Sequence, residues 1–388
     1  MMMRYLILPL LGLLLPLHPV SAEPTPEIGK IELWQAASGN KKKKKRNASR
    51  EAQRKKKELR EQGVKTVRVA SPGDWPRGVP VPKETTLVSK GEKPGVGYVY
   101  ETNNYRFHSP VAIEEDAQRT IGRLFECAFA ANKAVGEVLP VPRTETDRSE
   151  KKYLVELWPT MAEYYARGGS RGSAGVFTCS FRRVADPTSG THGPLAEEDI
   201  IADKVMVPFE SLGLGSSGAI VSRDIDTHVL VHELTHQNFV RNGLPVWANE
   251  GWAEYLGYVP YMGETLDFGR CFSLIIHEAK KKAPHGALDF PFTFEEFLTM
   301  DQKTMYSFMG QGKDTYQLSV MAVSFFVHLD GKKGVDAIKA YMQALLDGKP
   351  NAEAVEELIK PHRNAKTLQK DFIRAWKRRK VDVSFAEE

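Results

Sequence analysis

The feature that constrains this chain most is the segment His232 to His236, which reads His-Glu-Leu-Thr-His. Because an α-helix repeats every ~3.6 residues, His232 and His236 lie one turn apart on one helical face, and Glu233 points to a different side. Two imidazoles on one face can bind a single metal ion, and a neighbouring glutamate can act on a water bound to that ion. The segment therefore predicts a helix that carries a zinc hydrolase site.

The sequence after this segment supplies a third ligand. Gly243, followed by Leu-Pro, ends one helix and starts the next, which we predict from Val246 to about Leu256. His236 is seven residues before Gly243 and Glu250 is seven residues after it. At ~1.5 Å per residue, an antiparallel helical hairpin returns Glu250 to the level of the histidines. His232, His236 and Glu250 then leave a fourth position open for water, as catalytic zinc sites do.

Two neighbouring side chains have structural alternatives. Glu254 lies one turn beyond Glu250 and is a candidate to accept the second ring N–H of a ligating histidine, although a solvated helix glutamate is the alternative. His228 lies one turn before His232 and so could neighbour the metal. We expect a partly buried, hydrogen-bonded histidine there rather than a ligand.

Together these residues resemble a known clan. The pairing of His-Glu-x-x-His with the downstream run Asn-Glu-Gly-Trp-Ala-Glu at 249–254 resembles the gluzincin metallopeptidases, the thermolysin-like and aminopeptidase-like clan. The gap between the second histidine and Glu250 is shorter than in the large members, so the match is to compact ones. Phe239 and Asn242 stand where the metzincin pattern has its glycine and third histidine. The close resemblance covers about residues 226–258; a looser one, in element order only, covers about 97–375.

The resemblance implies a zinc metallopeptidase that cleaves peptide bonds. Zn²⁺ would be held by His232, His236 and Glu250, and Glu233 would be the general base that takes a proton from the metal-activated water. Similar enzymes place a tyrosine or histidine on a helix after the zinc pair to stabilise the developing oxyanion, and Tyr316 is our candidate. The alternative for Tyr316 is an aromatic residue packed on the core. Lesser candidates for the same role are Tyr306, Tyr255 and His277.

A second hypothesis comes from a different class of protein. The chain could be a zinc-containing binding or adhesion module that keeps the fold without catalysis and is tethered by its Lys-rich segment. The intact Glu233 favours the enzyme, because binding alone needs no general base.

Residues 1–22 are typical of a cleavable secretory signal. Arg4 is followed by an apolar core and by the small-residue site Val-Ser-Ala at 20–22. Pro9 and Pro16 interrupt the core, which is shorter than the ~20 apolar residues that a membrane span needs. We therefore expect a secreted or periplasmic protein with no transmembrane span once the signal is removed.

Residues 23–96 are predicted to be a basic, low-complexity, disordered linker. Between residues 41 and 61, twelve Lys and Arg and three Glu give a charge of 12 − 3 = +9, whereas the whole chain carries +5. The basic character thus belongs to this segment, and blocks of like charge are usually solvated. The alternative is an electrostatic tether to an anionic surface such as cell-wall polymer, lipid headgroups or nucleic acid. Specific nucleic-acid recognition is not predicted.

The remaining residues, 97–388, are predicted to form one α+β metallopeptidase domain. Strands near residues 96–107, 153–158, 176–183 and 204–208 form a small mixed sheet, which precedes the zinc helix. The Glu-bearing second helix and a helical C-terminal lobe follow. Cys127, Cys179 and Cys271 allow at most one internal disulfide, and buried small hydrophobic residues are the alternative.

Overall fold

The computed structural model describes residues 5–6, 75–140, 152–170, 173–181, 200–222, 225, 227–261, 264–283 and 287–387. Within these ranges the chain has a mixed α+β fold with a six-stranded sheet and a helical C-terminal region, as the sequence predicts. The basic block at 41–61 and nearly all of the predicted signal lie outside the described residues. Among the described helices, none combines the length and the apolar character that crossing a membrane requires.

The strands build one central sheet and two small ladders. In chain order they are β1 Gly78–Pro80, β2 Val88–Lys93, β3 Gly97–Glu101, β4 Tyr105–Ser109, β5 Tyr153–Trp158, β6 Val176–Phe181, β7 Ile200–Pro208, β8 Thr265–Asp267, β9 Leu288–Asp289 and β10 Val383–Ser384. The central order is β6-β7-β5-β4-β3-β2, with β4, β5 and β7 parallel and the other neighbours antiparallel. Tyr5–Leu6 adds a two-residue antiparallel pairing beside β6. The small ladders are β1 with β8 and β9 with β10.

Eleven helices lie in the described residues. They are α1 Glu115–Gly136, α2 Met161–Ala166, α3 Thr227–Phe239, α4 Val246–Gly257, α5 Phe268–Lys282, α6 Phe294–Thr299, α7 Gln302–Gly310, α8 Thr315–Ser324, α9 Gly331–Leu346, α10 Asn351–Ile359 and α11 Ala365–Lys377. A π-helical turn, Phe325–Leu329, extends α8, and short 3₁₀ turns follow β7, α3 and α10. The predicted helix from Val246 to about Leu256 is confirmed as α4 within one residue.

The core lies between one face of the sheet and the helices. Along β5, Tyr153, Val155 and Leu157 are buried and alternate with more exposed residues, because successive side chains of a strand point to opposite faces. The apolar stripe of α1, which includes Ile121 and Phe125, is also buried. Since α3 contacts α1, α4, β6 and β7, it lies inside this core rather than at the surface.

A close approach of two helices places α8 above the candidate site. A Cβ atom on Gly251 of α4 would lie 2.7 Å from the Ser319 carbonyl oxygen and 2.8 Å from Val323 Cγ2 on α8. Because real Cβ atoms do not approach other atoms that closely, only glycine lets the two backbones pass at this distance. The contact holds the start of α8, and with it Tyr316, next to the residues of α4.

The folded domain starts earlier than the predicted boundary at residue 97. Trp75 is buried, stacks on Trp252 with ring centroids 5.7 Å apart, and donates its indole N–H to the Tyr255 hydroxyl at 3.1 Å. Residues 75–96 therefore belong to the domain and not to the linker. The sequence conceals this because β1 has only three residues beside prolines and β2 is exposed along its whole length, so neither has an apolar alternation.

The three cysteines are all buried, and none of them is in a disulfide bond. The disulfide that the sequence allowed is therefore not formed, and the alternative of small buried hydrophobic residues is the one observed. Burial raises the pKa of the Cys127 thiol to about 11, which makes it a poor nucleophile.

His362, in the C-terminal lobe, lies between two carboxylates. Its Nε2 is 3.0 Å from Asp330 Oδ2 and its Nδ1 is 2.8 Å from Asp371 Oδ2, with the ring fully buried. A neutral imidazole has one N–H, so only the imidazolium can donate to both carboxylates. Burial acts to lower the pKa of His362, but the hydrogen bonds to Asp330 and Asp371 outweigh it and raise this pKa; nearby Lys333 opposes them.

The free energy of unfolding should consequently fall as the pH rises. Because the folded-state pKa of His362 lies above the ordinary value of 6.5, its stabilisation is complete below about pH 6.5 and is lost as the pH passes the folded-state value. At low pH, His362→Gln should cost about 1.5–3 kcal/mol, as expected for hydrogen bonds to charged groups. Urea denaturation between about pH 6 and pH 9 measures this, with the exposed His277→Gln as control. An unchanged pH dependence in His362→Gln would contradict the assignment.

Candidate metal centre

The site is built on the antiparallel hairpin of α3 and α4. Gly243 has a left-handed φ of 58° in the connecting turn, and α4 begins directly after Pro245. This is the stop and restart that the sequence predicts, and it brings Glu250 opposite His232 and His236. All three side chains are buried, since α3 and α4 lie in the core.

Three donor atoms converge at this place. The Nε2 atoms of His232 and His236 are 2.9 Å apart, and they lie 3.2 Å and 3.4 Å respectively from Glu250 Oε2. In a tetrahedral zinc site with bonds near 2.0–2.1 Å, the ligand atoms are about 3.3 Å apart. His232, His236 and Glu250 can therefore hold one metal ion, and no protein atom has to move far to do so.

The chemistry of the donors also fits a cation. Glu250 Oε2 is buried and makes no hydrogen bond of acceptable geometry with any described residue, although both imidazoles are at ion-pair distance. A buried carboxylate oxygen without a partner is costly, and a cation would satisfy it. The single negative charge and two neutral imidazoles match the ligand set of a catalytic zinc site.

The protein's own electrostatics keep this carboxylate ionised. Burial acts to raise the pKa of Glu250, but the charge of His236 and the close contacts with both histidines outweigh it and lower this pKa to about 2. Burial acts to lower the pKa of His232, whereas its contacts with Glu250 and Glu254 raise it. Without a cation, a proton on His232 compensates the buried carboxylates, so metal binding would release that proton.

Glu233 is next to the ligands but is not one of them. Its side chain is buried, and its Oε2 accepts a hydrogen bond of 2.8 Å from the backbone N–H of Phe177 in β6. Burial raises the pKa of Glu233, although His232, His236 and the Phe177 N–H act in the opposite direction. The carboxylate is therefore more basic than a free glutamate and is fixed by a donor from the sheet edge, which suits a proton acceptor.

Glu254 contacts a candidate ligand, which corresponds to the first of its two alternatives. Its Oε1 is 3.2 Å from Nδ1 of His232, and its Oε2 is 3.0 Å from Nε2 of His228. This is the arrangement in which the second nitrogen of a ligating histidine donates to a carboxylate. His228 is thus partly buried and hydrogen-bonded, as the sequence suggests. The second nitrogen of His236, Nδ1, is buried without a hydrogen bond among the described residues.

Two tyrosines cover the ligands from α7 and α8. The ring of Tyr316 stacks on His232 with centroids 6.0 Å apart and planes 22° apart. The Tyr306 hydroxyl makes a long contact of 3.5 Å with Glu250 Oε1 and accepts a hydrogen bond of 3.1 Å from Gln302 Nε2. Burial, together with the charge of Glu250, raises the pKa of both hydroxyls, so each stays protonated and can donate. Tyr306 therefore contacts the ligand Glu250, although the sequence makes it only a lesser candidate.

The other candidates lie elsewhere. The Tyr255 hydroxyl is bonded to Trp75 and, at 2.8 Å, to His328 Nε2, and His277 is exposed on α5. His328 is a core histidine, and burial lowers its pKa to about 3.

Sequence reasoning missed one group at the site, the Phe177 N–H. It predicted the strand but could not tell which strand is the edge, because pairing between distant strands leaves no mark in a single sequence. In the structure β6 is the outermost strand of the six-stranded sheet next to α3, with only Tyr5–Leu6 beyond it.

Comparison with known proteins yields no relative: no protein-family model matches the chain, and neither does any curated protein or solved structure. The assignment of this site therefore rests on its residues and geometry alone.

Proposed function

We propose that this protein is an exported, zinc-dependent metallopeptidase of gluzincin type that hydrolyses peptide bonds in peptide or protein substrates. The observation that carries the proposal is the buried convergence of His232, His236 and Glu250, whose donor atoms lie within 4.8 Å of one another. A binding module needs no basic carboxylate beside such a triad, and Glu233 provides one. The Lys-rich segment at 41–61 is proposed as a linker or as a tether to an anionic surface.

The roles of the residues follow from their contacts. When bound, a zinc ion would acidify a coordinated water and polarise the carbonyl group of the substrate. Glu233 accepts the proton of the attacking water and passes it to the leaving amine. The hydrogen bond from Phe177 to Glu233 Oε2 leaves Oε1 as the oxygen for this transfer. Glu254 keeps the proton of His232 on Nδ1, so that Nε2 faces the ion.

Tyr316 is the proposed donor to the developing oxyanion. Its raised pKa keeps it protonated, and its ring stacks on His232. Tyr316→Phe keeps the ring and removes the hydroxyl, so we expect kcat to fall about 10²-fold, as for the loss of one oxyanion donor, with an unchanged metal content. Steady-state kinetics with metal analysis measures this. The matched variant Tyr306→Phe should have a smaller effect on kcat, and a larger one would transfer the role to Tyr306.

The proposal is tested with purified protein from which the signal has been removed. The metal content is determined, the metal is removed with a chelator, and cleavage of a broad peptide library is compared before removal, after removal and after zinc is restored. We expect about one zinc per chain and a cleavage activity that disappears and returns with the ion. Bound zinc without any cleavage would support the binding-module hypothesis instead. The absence of zinc binding would refute the metal site.

A further inference from the structure

Three histidines of α3 and two glutamates of α4 alternate along the seam between the helices. The successive contacts are His228 Nε2 to Glu254 Oε2 at 3.0 Å, Glu254 Oε1 to His232 Nδ1 at 3.2 Å, His232 Nε2 to Glu250 Oε2 at 3.2 Å, and Glu250 Oε2 to His236 Nε2 at 3.4 Å. The alternation arises because both helices carry their residues at a spacing of four and run antiparallel. We call these five side chains the ladder. Its outermost member, His228, is not part of the metal-binding triad.

Glu254 connects His228 to the triad through its two oxygens. Each oxygen contacts one histidine, and the carboxylate rotates as a rigid unit, so the position of Oε2 fixes the position of Oε1. The group that accepts the second N–H of a ligating histidine sets the orientation and the tautomer of its ring. Loss of such a group usually lowers metal affinity by about 10–100-fold. A group that fixes Glu254 therefore acts on His232.

The imidazole of His228 lies against Gly257, at a position where a larger residue would not fit. A Cβ atom on Gly257 would lie 2.9 Å from both Cε1 and Nδ1 of His228. On another side, Tyr258 makes an edge contact with centroids 4.4 Å apart and planes 61° apart. The last turn of α4 thus confines the imidazole, and its Nε2 is aimed at Glu254 rather than free to rotate into solvent.

We propose that His228 is a positioning residue for the metal centre: its Nε2–H holds Glu254 Oε2, so that Glu254 Oε1 stays against the Nδ1–H of His232 and His232 Nε2 stays aimed at the ion. This inference rests on the proposed metal site, but it does not depend on peptide hydrolysis. His228 thus supports the ion indirectly, one residue beyond Glu254, which contacts the ligand His232.

The test compares two substitutions of His228 by metal affinity. His228→Leu removes the donor, whereas His228→Gln keeps an N–H that can reach Glu254. Zinc affinity is measured by competition with a chromophoric chelator, and the absorption spectrum of the cobalt-substituted protein reports the ligand geometry. We expect about tenfold weaker zinc binding and an altered cobalt spectrum for His228→Leu, and values close to wild type for His228→Gln. His277→Leu, at an exposed position of α5, should match wild type.

Equal zinc affinity and an unchanged cobalt spectrum in His228→Leu would overturn the inference. So would an equal loss in His228→Gln, because the donor would then not be the cause. If His228→Leu does not fold, His228→Asn replaces it. The side chain of Asn is as polar as that of Gln but is too short to reach Glu254. Equal zinc affinities of the Asn and Gln variants would overturn the inference.

A wild type that binds no zinc overturns the metal site and this inference together. If the wild type binds zinc without cleaving peptides, only the proposed hydrolysis fails, and the affinities still decide the role of His228.

Discussion

Glu233→Gln is expected to lower kcat/KM for peptide hydrolysis by about 10²–10⁴-fold while the protein still binds about one zinc ion. The amide cannot accept the proton of the attacking water, which is the role that the buried and more basic carboxylate fulfils. Its oxygen can still accept the N–H of Phe177, so the side chain should keep its place and the fold its stability. The substitution therefore separates proton transfer from metal binding.

Cleavage rates, zinc content and urea denaturation of the same preparation measure the three quantities. The matched control is Glu210→Gln, the same chemical change at an exposed position after β7, which should leave all three unchanged. Activity in Glu233→Gln equal to that of wild type would remove the general-base role. If both proteins bind zinc and neither cleaves any peptide, the binding-module hypothesis accounts for the site better.

The sequence was sufficient for the part of the site that local geometry determines. The spacing of four residues places His232 and His236 on one face whatever surrounds them, and the symmetric turn at Gly243 returns Glu250 to them. The same spacing puts Glu254 beside the hairpin partner. These contacts depend on two adjacent helices and a single turn, so a single chain carries all the information they need.

The sequence does not predict contacts between segments that are distant along the chain. Phe177 and Glu233 are 56 residues apart, and Tyr306 and Glu250 are also 56 apart, so only the assembled fold brings each pair together. Helix α7, which carries Tyr306, has Met305 as its only buried residue and so lacks an apolar face that could reveal it. Tertiary packing, not propensity, determines its position.

Helix α5 is not among the predicted elements, although its sequence contains a helix signal. In α5, the buried residues Phe268, Cys271, Phe272, Ile275 and Ala279 recur at helical spacing, and Asp267 caps the first turn by accepting the N–H of Arg270. Periodicity and N-cap together predict a helix there. By contrast, the exposed strand β2 gives no such pattern, so the predicted domain boundary at residue 97 is too late.

Removal of the Glu250 carboxylate should have the largest effect on metal binding. Glu250→Ala deletes the one negative ligand, and two neutral imidazoles on a single helix then face the ion alone. We expect the loss of zinc affinity to exceed the range of about 10–100-fold that follows from losing an outer partner. At a zinc concentration that saturates the wild type, the variant should contain almost no zinc by metal analysis.

Zinc-dependent stability provides a second measurement of the same prediction. A ligand that binds only the folded state stabilises it by about 2.7 kcal/mol at a free concentration 100 times its Kd. Wild type should show this increase in urea denaturation, and Glu250→Ala should show almost none. Glu250→Gln keeps the volume and one oxygen of the side chain but not its charge, so it distinguishes charge from shape. If this variant shows the zinc-dependent increase in the free energy of unfolding, the carboxylate charge is not what binds the ion. If Glu250→Ala itself binds zinc as tightly as wild type, the second-helix glutamate is not a ligand and the gluzincin arrangement is wrong for this chain.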